Sequence, residues 1–229
     1  MYRSTITDVF FDLDHTLWDF DRNSFLALKS VFRKYGVGVN VELFTDVYEP
    51  INEAYWKLYR EEKISKEQLR RGRLIDAFND FNIQFSLQQI DDMAACYIDE
   101  LPKNNYLLDG AIAILDYLKD KYALHIITNG FKEVQHIKLK NSGISSYFKT
   151  VTSSEEVGLK KPNPVVFKTA LEQAGVSKEK TLMIGDSFEA DILGAEAFGM
   201  QTIFYNYRQE KVSDGYASVN SLVEIENYL

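Results

Sequence analysis

The sequence predicts an α/β protein built on a doubly wound parallel sheet, with a helical subdomain inserted behind the first strand. Three observations carry this. Short, almost continuously apolar runs rich in β-branched and aromatic residues recur along the chain, which is how strands buried on both faces read. Each run is followed by a polar or Gly-containing turn and a helical pattern, the alternation that a parallel sheet covered on both faces requires. The first and second runs are also separated by more than a hundred residues, far more than one crossover helix needs, and that stretch carries helical periodicity only.

In order, TDVFF (7–11) is the first strand and leads into DLDHT. Helical stripes follow over 24–35, where Phe25, Leu28, Phe32 and Tyr35 share a face, and over 41–62, where Pro50 predicts a break or kink. Helices over 65–81 and 86–101 each open with a capping box, Ser65 with Gln68 and Ser86 with Gln89. After a helix over 109–122 come ALHIIT (123–128) and a helix over 131–141, then a strand over 148–152 running into SSEEVG. A helix over 164–174 stopped by Gly175, the strand TLMIG (181–185), a helix over 188–198 stopped by Gly199, the strand QTIFY (201–205) and a last short helix over 221–229 complete the chain. The expected boundaries are 1–19 with 104–229 for the α/β part and 20–103 for the insertion. No repeat, low-complexity segment or Pro/Gly/Ser linker separates them.

Composition narrows the function. The 229 residues are 45% hydrophobic and 14% aromatic, enough to build a core and exclude disorder as the main state. With 26 Lys+Arg against 34 Asp+Glu the net charge is −8, which disfavours binding to nucleic-acid polymers or anionic membrane surfaces by bulk charge. The lone Cys96 sits in an apolar helical pattern and reads as a buried, inert thiol in a reducing compartment. The stretch 1–7 lacks a signal-like apolar run, and no segment approaches the roughly 18 apolar residues of a membrane span. A cytoplasmic protein, monomeric or homodimeric, is expected.

Ligands of an open parallel sheet bind outside the carboxyl ends of its strands. Past the first strand stand Asp12 and Asp14, two carboxylates leaving an extended segment on one face. Their repulsion needs a cation or a shared proton. Past the second stand Thr128 and Asn129, past the third Lys161, its backbone confined by the Pro162 and Pro164 that follow it, and past the fourth Asp186 and Asp191. Each taken singly reads as a turn, a helix cap or a solvated side chain. Together they bring carboxylates, one cation and one hydroxyl to one place, a set suited to octahedral Mg²⁺ and a phosphoryl group. Zinc is disfavoured, since His15 is alone in its motif, His125 lies in a strand and His136 on a helix.

FFDLDHTLW, IITNG, GLKKPNPVVF and MIGDSFEADILGA resemble the four ordered motifs of the haloacid dehalogenase-like hydrolase superfamily. That resemblance implies a Rossmann-like core with an inserted helical cap. DLDHTLWDF and KISKEQLRRGR are further similar to the subgroup of pyrimidine 5′-nucleotidases, which hydrolyse nucleoside monophosphates. The superfamily resemblance implies that Asp12 would attack phosphorus and form an aspartyl-phosphate. Asp14 would stay protonated near the leaving oxygen and then serve as base. Mg²⁺ would be held by the Asp12 carboxylate, the Asp14 backbone carbonyl and the Asp186 carboxylate. Thr128 and Asn129 would hold phosphoryl oxygens with backbone N–H groups, Lys161 would offset their charge, and Asp191 would orient Lys161 or a metal-bound water.

The partner implied is a small phosphorylated substrate. Other readings are a phosphatase of a sugar phosphate or phosphoglycolate, a phosphomutase, a 2-haloacid dehalogenase, or a non-catalytic binding protein. Dehalogenases usually lack an acid at the position of Asp14, and a silent protein would lack a charged motif residue. Substrate choice falls to the insertion. Trp18 and Phe20 stand at its entry, and Tyr55, Trp56 and Tyr59 form an aromatic group that could stack on a base but more simply fills the helical core. Arg70, Arg71 and Arg73 cannot all face one way, so only one or two point at substrate.

Overall fold

In the computed structural model residues 6–229 are described, so the N-terminal stretch 1–7 falls, for residues 1–5, outside them. The chain divides into two compact units, Met1–Phe20 with Asn105–Leu229, and Asp21–Asn104. The first is α/β. Its strands β1 (Asp8–Phe11), β2 (Ala123–Thr128), β3 (Phe148–Ser153), β4 (Thr181–Gly185), β5 (Gln201–Tyr205) and β6 (Ser218–Val219) form one sheet in the order β3-β2-β1-β4-β5-β6. All neighbouring strands are parallel. This is the doubly wound, Rossmann-like sheet. β6 was not anticipated, since two residues, Ser218 and Val219, carry no periodicity.

The helical unit is built from α1 (Phe20–Tyr35), α2 (Val41–Arg60), α3 (Lys66–Asp80) and α4 (Leu87–Glu100). Both capping boxes form. Ser65 and Gln68 exchange bonds of 2.8 and 3.1 Å, and Ser86 and Gln89 bonds of 2.9 and 3.3 Å. Of the break or kink expected at Pro50, the break does not occur, since α2 continues through it as one helix. Tertiary packing of Phe44, Tyr48 and Asn52, all buried, offsets the missing N–H. Phe32, Phe44 and Phe78 form the centre of this unit, with ring centroids 4.8 to 5.8 Å apart. Cys96 is buried and free.

In the α/β unit α5 (Ala111–Leu118), α6 (Lys132–Asn141), α7 (Ser154–Val157), α8 (Pro164–Ala174) and α9 (Gly194–Phe198) flank the sheet. β1 and β4 are buried along their whole length, and Phe10, Ile127, Val166, Phe167, Ala170 and Met183 belong to one core cluster. Gly175 and Gly199 end α8 and α9 in the left-handed region at φ 70° and 102°, where a side chain would be strained. The expected helix over 188–198 is two pieces, a π-helical turn Phe188–Leu193 followed by α9. The tail is a 3₁₀ segment, Leu222–Asn227. Among the described residues no helix is long and apolar enough to cross a membrane.

Candidate active site

The winding reverses between β1 and β4, whose carboxyl ends lie side by side, with Phe11 opposite Ile184. A crevice opens at such a switch point. Asp12 follows β1 directly, its N–H bonded to the Ile184 carbonyl at 2.9 Å, and Asp186 follows β4. Thr16 ties the two loops. Its hydroxyl accepts the Asp186 N–H at 3.1 Å and donates to Asp186 Oδ1 at 3.3 Å.

Lys161 is the hub on one side. It is 1% exposed, and its ammonium donates to Asp12 Oδ1 at 2.7 Å, Asp191 Oδ1 at 2.6 Å and the Ile127 carbonyl at 2.7 Å. An ammonium has three hydrogens, so all are engaged by the protein, and Lys161 offsets charge without a free donor. Burial works against its charge, but Asp12 and Asp191 outweigh this and hold it above its ordinary pKa. Asp191 sits in the π-helical turn, where its other oxygen accepts the Ser187 N–H at 3.1 Å. The Asn129 side chain does not stand free for a ligand. Its oxygen accepts the Lys161 N–H at 2.8 Å and its nitrogen donates to the Lys161 carbonyl at 3.0 Å.

A second hub lies around Asp14. Its Oδ1 accepts from Lys138 at 2.5 Å and its Oδ2 from Gln135 Nε2 at 2.9 Å. The same Gln135 nitrogen lies 2.6 Å from Thr128 Oγ1, which also accepts the Gly130 N–H at 3.0 Å. With two donors arriving, the Thr128 hydroxyl keeps its own proton for a further acceptor. Burial pushes the Lys138 ammonium below its ordinary pKa against the pull of Asp14. The Lys138 nitrogen also lies 4.2 Å from the ring centre of Trp18 and 5.4 Å from that of Phe20, within cation–π range.

Ligand atoms of Asp12, Asp186 and Asp191 lie within 4.8 Å of one another. Asp191 has both oxygens engaged, whereas Oδ2 of Asp12 and Oδ2 of Asp186 accept no hydrogen bond from the described residues. Burial pushes Asp12 up to about 7, with Lys161 opposing and Asp191 adding to the rise. Asp186 is raised well above its ordinary value by burial and by the charges of Asp12 and Asp191. Two such carboxylates with unused oxygens fit a hard divalent cation bound through oxygen. The grouping of side-chain oxygens adds Asp191 to Asp12 and Asp186, whereas the ligand expected from Asp14 is its backbone carbonyl. The Asp14 carboxylate turns instead to Lys138 and Gln135.

The structure thus gathers Asp12, Asp14, Thr128, Asn129, Lys161, Asp186 and Asp191 at the ends of β1, β2 and β4 and the loop before α8. Thr16, Gln135 and Lys138 escaped the sequence reading. Gln135 and Lys138 were legible as polar residues on the buried stripe of α6, beside Val134 and Leu139. The end of β5 also contributes, since Tyr207 Oη lies 3.1 Å from His15 Nδ1 and Arg208 3.4 Å from it. In the helical unit, Tyr55 donates to Asp76 at 2.7 Å and its ring packs over Gly72. Arg71 pairs with Asp91 and Glu67. Arg73 is buried, bonded to Asn52 at 2.8 Å and set against Tyr97 and Tyr48. Trp56 and Tyr59 pack edge to face at 5.7 Å.

The family model described as haloacid dehalogenase-like hydrolase matches residues 9–205. The chain is 35% identical over 225 residues to the pyrimidine 5′-nucleotidase YjjG of Escherichia coli (strain K12), with 96% of each chain covered. It is 40% identical over 200 residues to the pyrimidine 5′-nucleotidase PynA of Streptococcus pneumoniae (strain ATCC BAA-255 / R6), covering 86% of this chain and 82% of that one. Among solved structures, that of the HAD-hydrolase YfnB from Bacillus subtilis bound to magnesium aligns with a TM-score of 0.89 at 26% identity, over 98% of this chain and 99% of that one.

Proposed function

We propose that this chain, which belongs to the haloacid dehalogenase-like hydrolase family, is a Mg²⁺-dependent 5′-nucleotidase acting on pyrimidine and deoxypyrimidine nucleoside monophosphates. The observation that carries the phosphatase reading is the Asp12–Asp14 pair. Asp12 stands in the switch-point crevice with an unused oxygen, and Asp14 is held two residues on by Lys138 and Gln135. A halide leaves without a proton and needs no such second acid, whereas a poor alkoxide leaving group does. The nucleotide reading is supported by the two relatives named pyrimidine 5′-nucleotidases, each aligned over most of its length.

In this reading an Asp12 carboxylate oxygen attacks phosphorus, and the ester P–O bond breaks with its electron pair on the leaving oxygen. That oxygen takes a proton from the Asp14 carboxyl. Water then attacks the aspartyl-phosphate, Asp14 takes a proton from it, and the P–O bond to Asp12 breaks, releasing phosphate and restoring Asp12. Ester and water give alcohol and phosphate. The Thr128 hydroxyl and the backbone N–H of Asn129 would bind phosphoryl oxygens, while the Asn129 side chain fixes the Lys161 backbone. Lys161 counters the charge of Asp12 and Asp191 and of the incoming phosphoryl group. Asp12, Asp186 and the backbone carbonyl of Asp14 would hold Mg²⁺, with Asp191 adjoining. The ion supplies Lewis-acid neutralisation of the phosphoryl oxygens. The helical unit would select the substrate.

A panel of phosphate monoesters tests this. dUMP, dTMP or UMP should be hydrolysed faster than sugar phosphates, with activity lost in EDTA and returned by Mg²⁺. A preference for hexose phosphates or phosphoglycolate overturns the nucleotide reading, and EDTA-insensitive turnover overturns the metal assignment.

A further inference from the structure

Asp14 is gripped from a single direction. Both donors to its carboxylate come from α6, one turn apart, Gln135 to Oδ2 and Lys138 to Oδ1. Such i, i+3 neighbours share a helix face, and this face is otherwise the apolar stripe of Val134 and Leu139. Lys138 is 1% exposed, and Asp14 is its only carboxylate partner among the described residues. An apolar side chain would fill that position without burying a charge, and replacing buried charges by well-packed apolar groups is often neutral or stabilising. Packing alone therefore does not account for the ammonium.

Gly130 supplies a second, independent constraint. A Cβ there would lie 1.9 Å from Gln135 Nε2 and 3.1 Å from Asp14 Oδ2. The glycine leaves room for an amide that bridges Asp14 to Thr128, at 2.9 and 2.6 Å. One nitrogen thus sets the distance between the group assigned to the leaving oxygen and the hydroxyl assigned to the phosphoryl group. Aromatic faces of Trp18 and Phe20 hold the Lys138 head from the side.

We infer that Lys138 and Gln135 are positioning residues that fix the Asp14 carboxyl against Thr128, and so act on the departure of the leaving oxygen and not on attack by Asp12. This rests on the phosphatase reading with Asp14 as the acid. Esters differing in leaving group separate the two steps. 2,4-Dinitrophenolate departs unaided by a proton, whereas the 5′-oxygen of a nucleoside does not.

Single-turnover release of nucleoside from dUMP and of phenolate from 2,4-dinitrophenyl phosphate is measured for wild type, Lys138→Met, Lys138→Arg and Gln135→Met, with circular dichroism to confirm folding. Lys138→Met and Gln135→Met should slow nucleoside release by about tenfold to a hundredfold while phenolate release changes by less than about threefold, since proton donation contributes roughly 10²–10⁴ to such steps. Lys138→Arg, which keeps a donor, should recover part of the nucleoside rate. Equal losses on both esters, or no loss on dUMP in either folded variant, overturn this inference alone. A wild-type chain that releases neither product overturns the phosphatase reading and this inference with it. If Lys138→Met does not fold, Gln135→Met decides the matter by the same comparison.

Discussion

The Lys161 ammonium stands 2.7 Å from Oδ1 of Asp12, joining residues 149 positions apart in the chain. The bond reaches from the loop before α8 to the end of β1, and the Asp191 carboxylate closes it from the other side at 2.6 Å. Removing the ammonium leaves two buried carboxylates without a counter-charge. Lys161→Met should therefore cost about 3–5 kcal/mol of folding stability, the range for breaking one side of a buried ion pair, and abolish turnover. Urea unfolding of the metal-free protein measures the first. A midpoint equal to wild type would show that the pair does not bear on stability.

Asp12→Asn separates chemistry from folding. The amide cannot attack phosphorus, so turnover should fall by at least about a thousandfold. Burial pushes the Asp12 carboxyl up to about 7, so its ionised form is unfavourable in the metal-free fold, and a neutral amide removes that penalty. Lys161 retains Asp191 and the Ile127 carbonyl. The metal-free thermal midpoint at pH 8 should be no lower than wild type. A folded variant with wild-type turnover would overturn the assignment of Asp12 as nucleophile.

The same shift gives a pH-dependent response to metal. An acid whose folded pKa is raised contributes its stability fully below the unfolded value, here 3.8, and loses it as pH rises through the folded value, about 7 for Asp12. Asp186 is displaced in the same direction. The metal-free protein thus carries increasing carboxylate repulsion as pH rises, and a divalent cation relieves it. Mg²⁺ should raise the thermal midpoint more at pH 8 than at pH 5.5. Calorimetry at the two pH values, with and without EDTA, checks this, and a larger shift at pH 5.5 would contradict it.

His125 predicts the opposite limb. Its Nε2 lies 3.0 Å from Asp8 and its Nδ1 2.7 Å from Thr150, with the ring stacked on Phe10. Burial holds it below its ordinary value of 6.5 although Asp8 pulls upward. A depressed folded pKa means the contribution is present above 6.5 and declines as pH falls through the folded value, since the unfolded chain takes the proton first. Stability should drop between pH 7 and pH 5, and His125→Gln should flatten that limb. Denaturant midpoints at both pH values, compared for the two proteins, provide the test.

What was legible in the sequence depended on whether one local pattern decided the outcome. β1, β2 and β4 were readable because each is a largely buried apolar run ending in a polar turn, and Asp12, Asp14, Thr128, Asp186 and Asp191 lie at or just beyond the ends of such runs, with Lys161 in the loop before α8. Both capping boxes were readable because Ser and Gln three apart carry their own geometry. Of the break or kink read at Pro50, the break is excluded because buried aromatic packing along α2 outweighs one missing N–H. The turn of Phe188–Leu193 was not readable, because its wider winding leaves no mark on the apolar period. The direction in which Asp14 points was hidden for another reason. It is set by Lys138, 124 residues away, and no pattern within either segment reports that pairing.

Gly185 closes the set, because its effect is steric and local. It ends β4 without a positive φ, so the backbone tolerates alanine, yet a Cβ there would lie 2.2 Å from Asp191 Oδ2, 2.5 Å from Cγ and 2.7 Å from Cβ. The last of these atoms sits at the root of the side chain and cannot swing clear without moving the π-helical turn. Gly185→Ala must therefore push Asp191 off Lys161. The strain should cost about 1–3 kcal/mol, and kcat should fall about as far as in Asp191→Ala, since both changes release Lys161 from the same partner. Thermal melts and steady-state kinetics on the two variants, with the double variant beside them, decide this. If the two losses multiply in the double variant, the glycine acts on something other than Asp191. A double variant no slower than either single one places both changes on the single contact between Asp191 and Lys161.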